Sequence, residues 1–579
     1  MPNFYTDNPD IRFYLKNMDL SEIIRLRENG FRERELYDYA PSDEADALDN
    51  YDRVLSLLGE IAGERIAMRA PEVDKEGTHF ENGKVTYAVG IAKDIDELAQ
   101  ADLMGFTLPR KYGGLNLPSV AYTMGIEMVS RADASLMTVF GLQDIAETIN
   151  AFADDEIKNK YLPLFCKGTV TGAMVLTEPD AGSDLQAVSL RATEDPENGC
   201  WHLNGVKRFI SNGNGHILLV MARSEPGTRD ARGLSLFVCE ADETVKIRRI
   251  EDKMGIKGSP TCEMQFVNTR ARLIGKRRLG LIRYVMSLMN GARLGIAGQA
   301  LGIAEACVRE AIEYAESREQ FGKKIKEFPA VAAMLVNMKV TTEAMRAFTY
   351  KTASVVDLEH LLGLRLDSGE VTDKEELQRL KERQASYRRY AAMLTPMAKY
   401  FTTERVQTIA TDNIQIHGGS GFMKDYDAER HFRDARITNI YEGTTQLQVV
   451  AAIGGIRSGA YKSYVEEEVA RIKDRVNPHS LEKILDRYGH FLTALEMYKA
   501  QQPDYQDLHA QEVVEAATLL ITDLALIEFA SRSEHKRAVA EKFTLDSLAD
   551  IDRAITKILS GDRIALDKMG QIITFDSRQ

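Results

Sequence analysis

The chain has 579 residues, 44% of them hydrophobic and 28% charged, with a formal net charge of −13. That length holds about three or four domains, and the balance is ordinary for a globular protein. The acidic surplus excludes nucleic acid as a main partner, because phosphate binding needs a basic face. Phosphate-bearing small molecules stay open, through local Arg, Lys and backbone N–H groups. Cys166, Cys200, Cys239, Cys262 and Cys307 are scattered and form no C-x-x-C pair. Buried free thiols in a reducing cytoplasm are expected, with neither a disulfide framework nor a zinc site. The opening MPNFYTDNPD lacks a basic stretch followed by an apolar run, so no secretory leader is expected. The most apolar late run, Ala516 to Ala530, is interrupted by Asp523 and Glu528, so no membrane span is expected.

In chain order, residues 1–47 are polar and aromatic, with Pro2, Pro9 and Pro41, and read as an N-terminal arm of short helices. Residues 48–165 read as a helical domain. Leu48, Tyr51, Val54, Leu55, Leu58, Ile61 and Ala62 fall at helical spacing, and Pro71 is expected to end that helix. Further helices are expected near 91–104, 116–131, 136–152 and 155–164. Over 166–280 the pattern changes to short apolar or alternating runs such as Val206 to Ile210 and Ile217 to Met221, separated by turn residues. That predicts a small antiparallel β domain. Helix returns over 281–455 as a four-helix-type bundle. Its first helix is rich in glycine and alanine and is expected to pack on many sides; Pro329 suits the first turn of the second. The charged stretch 358–382 reads as an exposed connection or insertion, and a long helix is expected over 383–414. Residues 456–579 read as an extra helical domain that covers apolar surface, with an interface or membrane-surface element as the alternative. The fold class is therefore α+β.

Three stretches carry candidate chemistry. M-V-L-T-E-P-D-A-G-S-D, Met174 to Asp184, offers hydroxyls and backbone N–H groups beside Gly182, which suits the edge of a polar ring or a pyrophosphate. R-F-I-S-N-G, Arg208 to Gly213, ends a strand with an aromatic and a hydroxyl, able to stack on and hydrogen-bond a flat cofactor. I-T-N-I-Y-E-G-T-T-Q-L-Q sets Glu442 between an aromatic and a glycine ahead of a helix start, where Thr444 and Thr445 can cap. Such a carboxylate is either a positioned base or a complement to the helix dipole; spacing alone leaves both open. H-G-G-S-G, His417 to Gly421, lacks the preceding strand of a nucleophile elbow, and His417 reads as a structural hydrogen-bonder. No H-E-x-x-H or comparable metal set occurs, and no metal is expected.

In order, these stretches resemble the acyl-CoA dehydrogenase family. The resemblance rests on V-L-T-E-P-D-A-G-S-D, K-R-F-I-S-N, K-M-G-I-K-G-S-P-T-C-E, S-R-E-Q-F-G-K-K-I, Q-I-H-G-G-S-G-F and I-Y-E-G-T-T-Q, with P-R-K-Y-G-G and S-R-A-D-A-S in support. It covers residues 48 to 455. The layout is similar to the large bacterial enzymes of the 3-(methylthio)propanoyl-CoA dehydrogenase kind and to the very-long-chain enzymes, with an added helical block.

The resemblance implies FAD held without a covalent bond between the β domain and the bundle. Met174, Val175, Thr177, Ser183, Phe209, Ile210 and Ser211 would line it. Arg318, Gln320, Phe321, Gln415, Gly418 and Gly419 would serve its adenosine diphosphate end from a second subunit, and Thr444 and Gln446 would complete the shell. Ser183, Asn290, Arg293 and Gly443 would meet the acyl-CoA, and Glu442 would be the base. Some members carry the base immediately before the arginine matched by Arg293; here that residue is Ala292. Phe209 and Ser211 stand where many members have Trp and Thr, and Pro329 replaces a frequent Gln. The implied activity is α,β-dehydrogenation of an acyl-CoA, with electrons passing to electron-transfer flavoprotein, in a cytoplasmic homodimer, a tetramer being the alternative. A related oxidase or enoyl-CoA reductase, and a non-catalytic acyl-CoA-binding relative, are the alternative activities.

Overall fold

The computed structural model describes residues 2–573. It is α+β, helical on either side of a central sheet. The arm forms α1 (Pro9–Asn17) and α2 (Ser21–Arg27). Pro9 takes the first turn of α1, and the Asn8 side chain caps it by accepting from the Asp10 N–H at 3.1 Å.

The first helical domain opens with α3 (Glu44–Ile61) and α4 (Ala67–Glu76). Pro71 lies inside α4 and does not end the helix. The path widens through Ala62–Ile66 one turn upstream and then continues, with Ala70 and Val73 buried on either side of the proline. Core burial offsets the hydrogen bond that proline removes. A short hairpin, β1 (His79–Glu81) with β2 (Lys84–Thr86), follows. Strands of three residues are too short to show an alternation. Then come α5 (Val89–Gln100), α6 (Ser119–Ala132), α7 (Ala134–Gly141), α8 (Ile145–Phe152) and α9 (Asp155–Cys166). The helix expected over 136–152 is broken by a tight turn at Leu142–Asp144.

The sheet has seven strands: β3 (Gly172–Val175), β4 (Arg191–Asp195), β5 (Cys200–Ser211), β6 (Ile217–Arg223), β7 (Leu234–Glu240), β8 (Val245–Ile250) and β9 (Thr261–Ile274). The order is β3-β6-β4-β5-β9-β7, with β8 on β9 and β6 also paired to β7. Most pairs are antiparallel, as expected, but β3 and β4 run parallel to β6. The register of β5 on β9 breaks between Lys207 and Ile210. Phe209 falls in that break with φ +59°, which turns its ring out of the strand's alternation.

The bundle consists of α10 (Met286–Ser317), α11 (Pro329–Asp367), α12 (Lys374–His417), α13 (Ala428–Thr438) and α14 (Thr445–Arg457). The stretch 358–382 is mostly helical and only its middle is a connection. It is the end of α11 and the start of α12, joined by residues 368–373 alone. Leu361, Leu362 and Leu380 are buried within that charged background, so a thin apolar stripe keeps both helices going. Likewise α14 runs past Gly454 and Gly455; a Cβ on Gly455 would lie 2.8 Å from the Met393 side chain, so this glycine serves close packing.

The last block is α15 (Ala460–Ile472), α16 (Pro478–Lys499), α17 (Pro503–Ala530) and α18 (Glu534–Leu559). The apolar run of α17 is buried core; its Asp523 accepts from Thr544 and Ser547 of α18. No described helix is long and apolar enough to cross a membrane. All five cysteines are free and buried.

A buried ionic network ties the two ends of the chain to the bundle. Lys536 of α18 donates to Asp10 of α1 at 2.6 Å and also pairs with Glu343 of α11. Arg346 of α11 bonds Glu127 of α6 at 2.6 Å and Glu305 of α10 at 2.7 Å. Burial alone would raise the Asp10 pKa, but Lys339 and Arg346 hold it far below the usual carboxylate range. Removing one member of such a set strands the others in the core. Lys536→Met is expected to cost about 3–5 kcal/mol of stability, read by thermal or urea unfolding. A loss within experimental error would show that the network is not what docks the arm and the last block.

Candidate active site

Glu442 sits in the connection between α13 and α14. Its φ is +55° and that of Gly443 is +92°. A glutamate in the left-handed region costs about 1–3 kcal/mol and persists only where neighbours over-determine it. Here they do. The Tyr441 hydroxyl donates to Gln299 Oε1 of α10, and Gln299 Nε2 donates to the Ala134 carbonyl of α7 at 3.0 Å. Gln448 Nε2 donates to the carbonyls of Glu442 at 3.1 Å and Gly443 at 2.8 Å. Lys399 of α12 donates to the Gly443 carbonyl at 2.7 Å. A Cβ on residue 443 would lie 2.7 Å from Gln448 Nε2, so the glycine is required by the turn itself. The expected hydroxyl caps are not used. The Thr444 side chain makes no capping bond, and the Thr445 hydroxyl is drawn to Glu404. The backbone N–H groups of Glu442 and Gly443 have no hydrogen-bond partner among the described residues.

Glu442 lines a small pocket of about 50 Å³ with Met137, Leu142, Met174, Ser211, Ala292 and Tyr441. The break at Leu142–Asp144 bends the chain around this pocket. The walls are mostly apolar. Burial pushes the carboxyl up to about 7, while Lys399 and Arg293 pull it back. Lys399 is buried too, and its ammonium is pushed down to about 7 by that burial, opposed by Glu442. Arg293 is buried, bonds Asn290 Oδ1 at 3.2 Å, and has no partner on Nε among the described residues. Two cations thus hold the carboxyl low enough to ionise in a site that otherwise favours the neutral acid.

The other residues singled out divide into three groups. Met174 and Ser211 line the pocket with Glu442, and Ala292 puts a methyl group there. Val175 and Ile210 turn inward by strand alternation and are core, which leaves only their main chain for a ligand. Thr177 is half-buried, Ser183 and Gln446 are exposed, and Phe209 is half-exposed beside the β5 break. Arg318, Gln320 and Phe321 lie outside the pocket, on a short exposed hairpin after α10; Gln415, Gly418 and Gly419 are exposed at the end of α12. The two segments meet at one end of the bundle, where Tyr314 stacks on His417 and its hydroxyl bonds Ser420. His417 Nδ1 bonds the Asn413 carbonyl at 2.8 Å, the structural role expected of it. Phe321 is 94% exposed and Phe422 77% exposed, an unusual density of bare aromatic surface. A side chain at Gly182, Gly418 or Gly419 would meet nothing within 4 Å.

Three working residues were missed in the sequence. Lys399 is a lysine inside the apolar run Met397 to Phe401, a signal that was there to find. Gln448 and Gln299 carry no local signal, since their roles exist only once α10, α12 and α14 are packed.

The family matches follow this geometry. Residues 51–169, 173–269, and 282–371 with 374–453 match the N-terminal, middle and C-terminal domains of acyl-CoA dehydrogenase. The chain belongs to the acyl-CoA dehydrogenase family, and is accordingly an oxidoreductase of a FAD-dependent family. It is 36% identical over 361 residues to an acyl-CoA dehydrogenase of Bacillus subtilis, covering 61% of this chain and 86% of that one. It is 33% identical to the 3-methylmercaptopropionyl-CoA dehydrogenase of Ruegeria pomeroyi, covering 70% of each. An acyl-CoA dehydrogenase from Bacillus anthracis, solved with FAD, shares the fold at a TM-score of 0.70 and 24% identity, over 89% of this chain and 87% of that one. That coverage reaches beyond residue 453, into the helices that the family domains do not include.

The electrostatics of the pocket give a direct test. By carbon-13 NMR of labelled glutamate, Glu442 is expected to titrate near pH 7, and Lys399→Met to move that midpoint upward. An unchanged midpoint would show that Lys399 does not act on the carboxyl.

Proposed function

We propose that this protein dehydrogenates an acyl-CoA thioester to the trans-2-enoyl-CoA, with Glu442 as the base. One observation carries the reading: a strained carboxylate with a raised pKa, and with unused backbone N–H groups, shares an apolar pocket with Met174, Ser211 and Ala292. In water a thioester α-proton is too weakly acidic to leave. Bound here, the Glu442 carboxylate takes the α-proton, and the backbone N–H of residue 442 donates to the thioester carbonyl as negative charge develops. A donor of that kind is typically worth about 3–4 kcal/mol. The β-hydrogen departs as hydride, and FAD supplies its acceptor. Ala292 offers no competing base.

The residues present fit FAD. The outward Phe209 ring, the Ser211 and Thr177 hydroxyls and the open Gly182 turn suit a flat polar ring. The bare Phe321 and Phe422 and the open Gly418 and Gly419 suit a surface covered by ligand and by a second copy of the chain. Arg318, Gln320 and Gln415 would hold the diphosphate end in a homodimer, with Thr444 and Gln446 completing the shell. Asn290 and Arg293 are proposed for the CoA side, together with Ser183. Electron-transfer flavoprotein is the proposed acceptor. Stoichiometric peroxide in air with no response to an artificial acceptor would assign an oxidase instead.

Glu442→Gln is expected to retain FAD and bind acyl-CoA while losing about 10²–10⁴-fold in turnover, measured by anaerobic flavin bleaching. In the unaltered protein kcat/KM should rise with pH through about 7, because only the ionised carboxylate accepts a proton. Near-normal turnover in the variant would remove Glu442 as the base. Arg318→Ala is expected to shed FAD on dilution; unchanged flavin occupancy would take Arg318 out of the cofactor site.

A further inference from the structure

The β4–β5 hairpin carries a set of groups that the acyl-CoA chemistry leaves unused. Asp195 and Cys200 close it as cross-strand partners, and Thr193 stands opposite His202. Side chains alternate between faces along a strand, so Cys200 and His202 share a face; cross-strand partners share one too. Asp195, Cys200 and His202 therefore converge at the end of the hairpin. One ligand atom from each lies within 4.8 Å of the others. His202 Nε2 is 3.2 Å from Asp195 Oδ2 and 3.9 Å from Cys200 Sγ.

The imidazole is oriented from behind. His202 Nδ1 lies 3.2 Å from the Asn268 carbonyl, which only accepts, so Nδ1 carries the proton. In the neutral ring Nε2 is then a bare lone pair, facing a carboxylate oxygen and a sulfur. Three electron-rich atoms so placed need a positive charge among them. Asn268 presents its carbonyl from a residue with φ +55°, where the register of β5 on β9 slips between Leu203 and Gly205. The carboxylate is held as well: Asn198 donates to Asp195 through its backbone N–H at 3.2 Å and its Nδ2 at 2.8 Å. Metal-binding imidazoles and carboxylates are commonly supported by outer bonds of these kinds. Arg270, opposite His202 on β9, is exposed and forms no ion pair among the described residues, so it does not claim Asp195. Cys200 also differs from the other cysteines. Cys166, Cys239, Cys262 and Cys307 each belong to an apolar core cluster, whereas Cys200 is buried outside those clusters, beside the histidine.

A protonated imidazole would answer Asp195 but would give the thiol no part. The distances favour a shared ion. A tetrahedral zinc with ligands at ordinary lengths sets nitrogen and oxygen about 3.3 Å apart and nitrogen and sulfur about 3.6 Å apart. The 3.2 and 3.9 Å found here are close to both. Thiolate, imidazole and carboxylate together suit zinc, whereas magnesium and calcium take oxygen ligands. We propose that Asp195, Cys200 and His202 bind a divalent ion of the zinc class, with water in the fourth position. The spacing D-x-x-x-x-C-x-H carries no familiar zinc pattern; pairing of the two strands creates the set. Cys200 and Ser211 are at opposite ends of β5, so the ion clasps the hairpin and stands apart from the chemistry at Glu442.

The test uses the FAD-loaded protein freed of metal by chelation and dialysis. Zinc chloride is titrated by calorimetry and cobalt(II) by absorption, with the protein's own flavin spectrum subtracted. One ion per chain is expected, with a cobalt–thiolate charge-transfer band that zinc abolishes and excess magnesium does not. Cys200→Ser is expected to remove the band. Cys200→Ser and His202→Gln should each weaken zinc binding at least about tenfold, since loss even of an outer partner costs about 10–100-fold. Zinc should raise the Tm of the unaltered protein and leave that of either variant unchanged, with far-ultraviolet circular dichroism confirming that both are folded. Zinc uptake below one ion per chain, binding that survives in both variants, or cobalt uptake without the thiolate band would overturn the proposal.

Discussion

The site depends on the ammonium of Lys399 being buried beneath the turn at Glu442. It bonds the Gly443 carbonyl at 2.7 Å and sets a positive charge beside the carboxyl. One interaction thus fixes backbone shape and proton affinity together. Gln448 repeats the first function from inside α14, and Tyr441 with Gln299 anchors the turn to α10. Without these ties a glutamate at φ +55° would relax to ordinary geometry, and its carboxyl would leave the pocket.

Lys399 and Arg293 can do this only because the bundle is rigid around them. α10, α11 and α12 are long and pack tightly, and the small residues of α10 admit α6 at close range: a Cβ on Gly302 would lie 2.4 Å from the Glu127 carbonyl. The same Glu127 is bonded through Arg346, which connects to Glu305 and Glu343, and Glu343 to Lys536. A cationic and acidic lattice therefore runs from the arm through the bundle to the last block. It lies apart from the Glu442 pocket, and its physical role is to hold the frame. Burying charge is costly, and the network is tolerable because nearly every charge has a partner.

Burial raises every one of these carboxyls, and the neighbouring cations decide the outcome. Beside Arg346 they lower Glu305 to about 2, while burial still wins at Glu127, which is raised. In the pocket, desolvation wins and Glu442 rises to about 7, which is where a base serving near neutrality should lie. The difference is the number and closeness of cations. Four of them, Arg346, Lys339, Arg309 and Arg131, act on Glu305, whereas Glu442 has two.

The sequence by itself determined the class and the local chemistry. Periodicity separates helix from strand, because 3.6 and 2 are different repeats, and the ordered motifs from Val175 to Gln446 mark the acyl-CoA dehydrogenase family. These are short-range facts, written in neighbouring residues. Local signals failed where tertiary burial overruled them. Pro71 did not stop its helix, the charged run 358–382 did not become a loop, and the Thr444 and Thr445 hydroxyls did not cap. Only the tertiary structure decided what surrounds Glu442. Lys399 lies more than forty residues before it in the chain, Gln299 and Arg293 further still, and Met137 and Leu142 reach its pocket from the first domain. Proton affinity and cavity lining depend on distance and desolvation in space, and no spacing along the chain records either.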